Sequence, residues 1–232
     1  MENVPRAVLF DLYGTLVRSP TPAERELRRR SIARDVGCDE SRLLATYHRA
    51  REERLKGTLG STREALRELL RRAGCEPSAE NLERCAQRLL EWTASDLTPP
   101  EETLELLDIL RSRGWLLGVV SDCEVEVSAV WATSQLSLRF GATAFSCDTG
   151  ARKPAREQFQ ICSMRLGVPL DRCVFVGDGG SNELEGACSL DVHAIHLHLP
   201  HLNPTLSVGS WGGTTTASVS ELLEVLTRQN RP

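Results

Sequence analysis

Lysine is nearly missing from this chain of 232 residues: of its 28 basic side chains only Lys56 and Lys153 are lysines. Where positive charge alone suffices the chain uses Arg, so a compact ammonium marks a place where a planar guanidinium does not serve. Long apolar runs are missing too. No stretch approaches the roughly 20 residues that span a bilayer, so no membrane partner is expected. The start, Met1-Glu2-Asn3-Val4-Pro5-Arg6, lacks the basic and apolar regions of a signal peptide, and a cytoplasmic protein is expected. The eight cysteines include no C-x-x-C pair and no histidine at zinc-finger spacing. They read as free, mostly buried thiols of a reducing compartment. Cys147, Cys162, Cys173 and Cys188 fall in apolar settings, and Cys123, just after a strand end, reads as core filler rather than a nucleophile. There is no internal repeat and no low-complexity tract. A net charge of −4 excludes nucleic acid as the expected partner. Residues 17–98 carry 17 basic and 14 acidic side chains, a basic segment beside an acidic remainder, which would help attract a small anionic substrate.

What is present begins with Ala7-Val8-Leu9-Phe10, an apolar run without alternation that reads as a strand buried on both faces of a parallel sheet. Asp11 stands at its carboxyl end, where open α/β sheets bind ligands, and Gly14 follows as a turn residue that permits close backbone approach. Thr21 and Glu24 form a capping-box pattern for a helix from Pro22. Helices are expected at about 22–36, 39–55, 61–73 and 78–95. Four amphipathic helices between two strands exceed a simple crossover and read as an inserted bundle.

Thereafter the chain alternates: a helix over 101–113, a strand over 115–120 ending at Ser121-Asp122, and a helix around 124–137. A short strand at 143–146, a helix over 157–166 and a strand at 172–176 ending at Gly177-Asp178 follow. A helix at 183–190 precedes a last strand at 192–197, and a helix at 218–229 turns Leu222, Leu223 and Leu226 inward. The expected architecture is α/β, a Rossmann-like three-layer sandwich with a parallel sheet, residues 1–16 and 99–232, plus an inserted four-helix domain at 17–98. The stretch from Pro200 to Thr216 reads as a flexible connection. His193, His196, His198 and His201 show no ligand spacing and read as structural or solvated.

Asp11, Ser121, Lys153 and Asp178 therefore collect at one edge of the sheet. In that order they resemble the haloacid dehalogenase superfamily of hydrolases over nearly the whole chain. Asp11-Leu12-Tyr13-Gly14-Thr15 is similar to its Asp-x-Asp-Gly-Thr motif, Ser121 to its Ser/Thr after a strand, Lys153-Pro154 to its Lys motif, and Gly177-Asp178 with Glu183 to its acidic motif. The resemblance implies that Asp11 is a nucleophile forming an aspartyl intermediate, with Lys153 neutralising it and the transferring group. Asp11 and Asp178 side by side make sense bridged by Mg²⁺, a hard cation that prefers oxygen. In the family a third ligand is the backbone carbonyl at the position of Tyr13, and Glu183 would act through water or from outside the ligand shell. Ser121 and the amides of Leu12 and Tyr13 would hold phosphoryl oxygens, with Gly14, Thr15 and Asp122 beside them. The inserted helices resemble the family's helical cap, whose central loop, here Arg54, Lys56 and Gly57, faces the site.

Tyr13 departs from the pattern, replacing the Asp that protonates the leaving group in the family's phosphatases. A phenol with a pKa near 10 is a poor acid/base at neutral pH. The main reading is a Mg²⁺-dependent phosphatase of a small phosphorylated metabolite. A metal-independent 2-haloacid dehalogenase, which carries Tyr at this position, is the alternative, and a weakly active binding or regulatory member is the third. Gly177-Asp178 and Glu183 favour the first, because a buried pair of carboxylates without a cation is costly. A monomer or homodimer is expected, with Trp92 or Trp131 as an exposed interface marker.

Overall fold

Ala7–Phe10 forms the central strand β1, and all four residues are fully buried. In this computed structural model, which describes residues 7–204 and 211–229, Val8 and Phe10 enter one apolar cluster while Ala7 and Leu9 enter another. A strand used on both faces belongs inside a covered parallel sheet. The other strands are β2 (Leu116–Ser121), β3 (Ala142–Phe145), β4 (Cys173–Gly177), β5 (His193–Leu197) and β6 (Thr214–Thr216). All pair in parallel, in the order β3-β2-β1-β4-β5-β6. Chain order reverses between β1 and β4, the position at which such sheets open a crevice for ligands.

Between β1 and β2 lie α1 (Pro22–Asp35), α2 (Glu40–Arg49), α3 (Arg51–Leu55), α4 (Thr62–Arg72) and α5 (Ala79–Asp96). Then come α6 (Glu101–Ser112), α7 (Val125–Trp131), α8 (Ser146–Thr149), α9 (Arg156–Leu166), α10 (Glu183–Cys188) and α11 (Val219–Gln229). Leu106, Leu107 and Leu110 of α6 and Leu222 and Leu226 of α11 cover one face of the sheet. Phe159 and Cys162 of α9 and Leu184 and Ala187 of α10 cover the other, giving three layers.

The helices α1–α5 have their own apolar centre, in which Ile32, Leu43, Tyr47, Leu66, Leu69 and Leu82 meet. The capping box that starts α1 forms as its sequence dictates: Glu24 N–H donates to Thr21 Oγ1 (3.2 Å) and Thr21 N–H donates to Glu24 Oε2 (2.7 Å). Ser61 and Glu64 repeat the device at α4. Ion pairs tie these helices to the sheet layer, Arg54 to Glu124 and Glu52 to Arg152. Gly57 lies against the backbone of α8, where a Cβ would come within 2.9 Å of the Cys147 carbonyl carbon.

The structure departs from the sequence reading in several places. The helix expected over 39–55 breaks at Ala50 (φ −85°, ψ 15°), beside a Tyr47 carbonyl that accepts from the Arg54 guanidinium at 3.0 and 3.3 Å. Five helices therefore stand where four were expected. The helix from 124 ends at Trp131, since Thr133, Ser134 and Ser137 hydrogen-bond back to nearby carbonyls and compete with helix continuation. The strand at 193–197 is not the last: Thr214–Thr216, β-branched throughout, pairs with it as β6. Leu202, in the supposed flexible connection, is buried, while 205–210 of that stretch lie outside the described residues. Trp131 packs edge-on to Phe145 at 5.2 Å, and Trp92 is partly buried beneath Arg28 and Arg88, so neither is an exposed marker. Cys188 is exposed rather than packed in an apolar setting. Among the described residues no helix is long and apolar enough to cross a membrane.

Candidate active site

The register of the sheet assembles the site. Phe10 pairs with Val119 on one side and Val176 on the other, so Asp11 is level with Val120 and Gly177, and Ser121 and Asp178 stand one residue further out. The Asp11 N–H donates to the Val176 carbonyl (2.8 Å), extending the strand pairing to the site. Lys153 Nζ forms ion pairs with both Asp11 Oδ1 and Glu183 Oε2, and all three side chains are buried. Thr15 donates to the other Asp11 oxygen at 3.4 Å.

Asp178 is fixed by two donors, Gly180 N–H on Oδ1 (2.8 Å) and Asn203 Nδ2 on Oδ2 (2.7 Å). Gly179, Ser181 and Asn182 all have left-handed backbones (φ 90°, 55° and 52°), an uncommon concentration for non-glycine residues that is found where local structure serves a site. The turn returns Glu183 toward Lys153, and the Gly179 N–H donates to Glu183 Oε1 (3.1 Å). Two glycines make room. A Cβ on Gly14, whose φ is +89°, would lie 3.0 Å from Asp178 Cγ and 2.9 Å from Asn203 Nδ2. One on Gly177 would lie 2.8 Å from Glu183 Cδ.

Asp11, Asp178 and Glu183 offer carboxylate oxygens that all lie within 4.8 Å of one another. Three buried acids against the single ammonium of Lys153 leave negative charge in excess. Burial, opposed by Lys153 and assisted by Asp178, pushes Asp11 up to about 6. Burial and then Asp11 hold Glu183 well above the usual carboxylate range. Burial alone would depress Lys153, but Asp11 and Glu183 outweigh it and hold the ammonium charged above its ordinary range. A compact cluster of hard oxygen donors short of positive charge suits Mg²⁺.

Asp122 accepts from the Lys153 backbone N–H (2.9 Å) and from Arg152 (3.1 Å), fixing the segment that carries the ammonium. Ser121 is buried at the end of β2, and its carbonyl accepts from Gln158 Nε2 (3.2 Å). Leu12 is buried in the apolar core. Arg54 and Lys56, expected at the site, are not brought to it. Arg54 is buried and engaged with Glu124 and the Tyr47 carbonyl, while Lys56 has a 45% exposed side chain near Glu52. Burial drives the Cys123 thiol well above its ordinary value, which fits filler rather than a nucleophile. The rings of His196 and His198 lie 5.7 Å apart with their planes tilted by 56°, and among the described residues no histidine joins the acidic cluster.

Tyr13 begins a cavity of about 190 Å³ between the sheet edge and the helical insertion. Burial, and then Asp96, raise its phenol far above its ordinary value, so it is no acid/base for neutral pH. Arg25, Arg28 and Arg29 of α1 line the same cavity. In the sequence they counted only toward the basic segment 17–98, although their i, i+3, i+4 spacing places them on one helix face. Asn203 had no signal at all: it comes from an irregular loop.

A family model described as haloacid dehalogenase-like hydrolase matches residues 5–189. A glyceraldehyde 3-phosphate phosphatase of Methanopyrus kandleri is 27% identical over 186 residues, covering 78% of this chain and 79% of its own. Two solved structures share the fold. A haloacid dehalogenase family enzyme of Bacteroides thetaiotaomicron in a magnesium complex has a TM-score of 0.64 and 17% identity, covering 88% of this chain and 97% of that one. An L-2-haloacid dehalogenase has a TM-score of 0.60 and 16% identity, covering 96% and 99%.

Proposed function

The chain belongs to the haloacid dehalogenase-like hydrolases, and we propose that within them it is a Mg²⁺-dependent phosphatase of a small phosphorylated metabolite. The observation that carries this reading is the trio Asp11, Asp178 and Glu183 within 4.8 Å, which a carbon-attacking enzyme without metal has no reason to assemble. Asp11 attacks phosphorus through one carboxylate oxygen, the bond to the leaving-group oxygen breaks as that oxygen departs as a carboxylate or takes a proton from water, and water then hydrolyses the aspartyl phosphate. Lys153 keeps Asp11 ionised and neutralises the phosphoryl oxygens, aided by Ser121 and the backbone amides of Leu12 and Tyr13. Asp11, Asp178 and the Tyr13 carbonyl would hold the cation, with Glu183 outside them. When bound, Mg²⁺ would relieve carboxylate repulsion and draw charge from the phosphoryl group. Helices α1–α5, residues 17–98, act as the cap that keeps water out. The relative from M. kandleri, named for a sugar phosphate, supports a small phosphorylated substrate.

Tyr13 sets the second reading, a 2-haloacid dehalogenase, since halide leaves without a proton. One panel separates them: phosphate release from acetyl phosphate and p-nitrophenyl phosphate with Mg²⁺ or EDTA, beside halide release from 2-chloropropionate. EDTA-sensitive phosphate release lost in Asp11→Asn is expected. EDTA-insensitive halide release would overturn the phosphatase reading.

A further inference from the structure

Three arginines, Arg25, Arg28 and Arg29, and four acids, Asp96, Asp122, Glu124 and Glu126, line the cavity beyond Tyr13, but most of the acids are engaged elsewhere. Arg28 is matched by Asp96 through two bonds, one of 2.8 Å to Oδ1. Arg54 takes Glu124, and Arg152 takes Asp122. Arg25 and Arg29 are left over. Arg25 donates only to the Pro20 carbonyl (3.0 Å) and the Ser19 hydroxyl (3.4 Å) among the described residues, with its guanidinium 5.8 Å from the Tyr13 ring centre. Arg29 lies over Tyr47 at 4.7 Å, and its nearest carboxylate is Glu124 at 4.0 Å, already engaged. The remaining acid of the wall, Glu126, forms no ion pair among the described residues and is pushed up to about 7, by burial and then by Glu124. It is therefore a weak counter-charge.

Two guanidiniums without a carboxylate of their own, facing a cavity that opens on the residue two beyond the nucleophile, call for a second anionic group on the substrate. A carboxylate matches the planar fork of Arg in two parallel hydrogen bonds. The volume, about 190 Å³, falls below the roughly 300–1,000 Å³ of pockets for drug-sized ligands, so the molecule is compact. We infer that the substrate is a small phosphorylated carboxylic acid whose carboxylate is bound by Arg25 and Arg29. This rests on the phosphatase reading and adds to it the class of substrate.

The probes are 3-phosphoglycerate and glycerol 3-phosphate, which differ in a carboxylate against a hydroxymethyl group. Calorimetric titration of the Mg²⁺-loaded full-length protein, with Asp11→Asn added to wild type and variants alike so that neither probe is turned over, reads both dissociation constants. The wild type is expected to bind 3-phosphoglycerate at least tenfold more tightly. That ratio should fall below threefold in Arg25→Gln and in Arg29→Gln, and recover in part in Arg29→Lys, whose charge remains but whose fork is lost. Because all readouts are ratios, a general loss of folded protein does not imitate the effect. Equal affinities in the wild type, or a ratio untouched by both Gln variants, would overturn the inference. Hydrolysis of p-nitrophenyl phosphate is measured alongside with Asp11 intact. If it proceeds while the ratio is near one, the substrate class falls and the phosphatase stands. If it is absent while the ratio holds, the phosphatase reading falls and the carboxylate subsite stands.

Discussion

Replacing Gly14 by Ala tests how the acidic cluster is held open. The backbone at Gly14 is left-handed, φ +89°, which costs an L-residue about 1–2 kcal/mol. The added methyl would also stand 3.0 Å from Asp178 Cγ, nearer still to Oδ2, and 2.9 Å from Asn203 Nδ2. Ordinary contact distances of about 3.5–4.0 Å require the carboxylate to retreat by on the order of 1 Å. Overpacking of this kind costs about 1–3 kcal/mol, so the total is roughly 2–5 kcal/mol. A misplacement of ~1 Å is also worth about 10²-fold in rate. Gly37→Ala supplies the control, because Gly37 has φ +67° with nothing within 4 Å of the added Cβ. Urea unfolding and Mg²⁺-dependent p-nitrophenyl phosphate turnover are measured for both. Gly14→Ala is expected to lose more stability than Gly37→Ala by the overpacking share, and to lose at least 30-fold in rate, roughly the lower edge of that misplacement penalty. If the two variants unfold alike and Gly14→Ala keeps its rate within fivefold, the close approach of Gly14 to Asp178 has no functional weight.

Three further substitutions probe charge. Tyr13→Asp should raise turnover of alkyl phosphates more than of acetyl phosphate, since only the former need a proton for the leaving group; equal or lower rates on both would refute that role. Lys153→Met leaves Asp11 and Glu183 without their ammonium, and breaking a buried pair typically costs about 3–5 kcal/mol. Both carboxyls are raised in the folded state, so the unfolded state releases its protons first as pH rises. The deficit without Mg²⁺ should therefore be larger at pH 8 than at pH 5, and urea midpoints that shift equally at both would refute it. Glu126 has a folded pKa of about 7 against an ordinary 4.5. Its cost is absent below the lower value, grows between the two and is complete above the upper. At about 1.4 kcal/mol per unit, Glu126→Gln should stabilise the fold by up to roughly 3.5 kcal/mol at pH 8 and hardly at all at pH 4.5, read by thermal unfolding at both.

What could be read from the sequence was what a short stretch decides by itself. Ala7–Phe10 shows its double burial in its composition, and Thr21 with Glu24 shows a helix start. The motifs at Asp11, Ser121 and Asp178 fell on strand ends because buried strands and their terminal polar residues are local patterns, while Lys153 stands between α8 and α9. The rest depended on partners distant in sequence. Arg54 looks like an exposed charge beside a Gly turn until Glu124, seventy positions on, is placed against it. Arg25 and Arg29 look like solvated charges until Tyr13 and Glu126 close a cavity around them. Asn203 and β6 follow an irregular stretch whose direction no local rule sets, yet one bonds Asp178 and the other completes the sheet.

The scarcity of lysine has a practical consequence. A lysine-specific protease has two targets here, and Lys153 is buried and followed by Pro154, a bond such enzymes leave intact. Lys56 is exposed between α3 and α4, so limited digestion makes one cut. The first fragment carries β1 and Asp11, and the second carries Lys153, Asp178 and the other five strands. Leu43 and Tyr47 on one side and Leu66 and Leu69 on the other hold the pieces together in a shared apolar centre. That single cut would place Asp11 and Lys153, which form an ion pair in the intact chain, on separate polypeptides, so a split form of the molecule needs no engineered break.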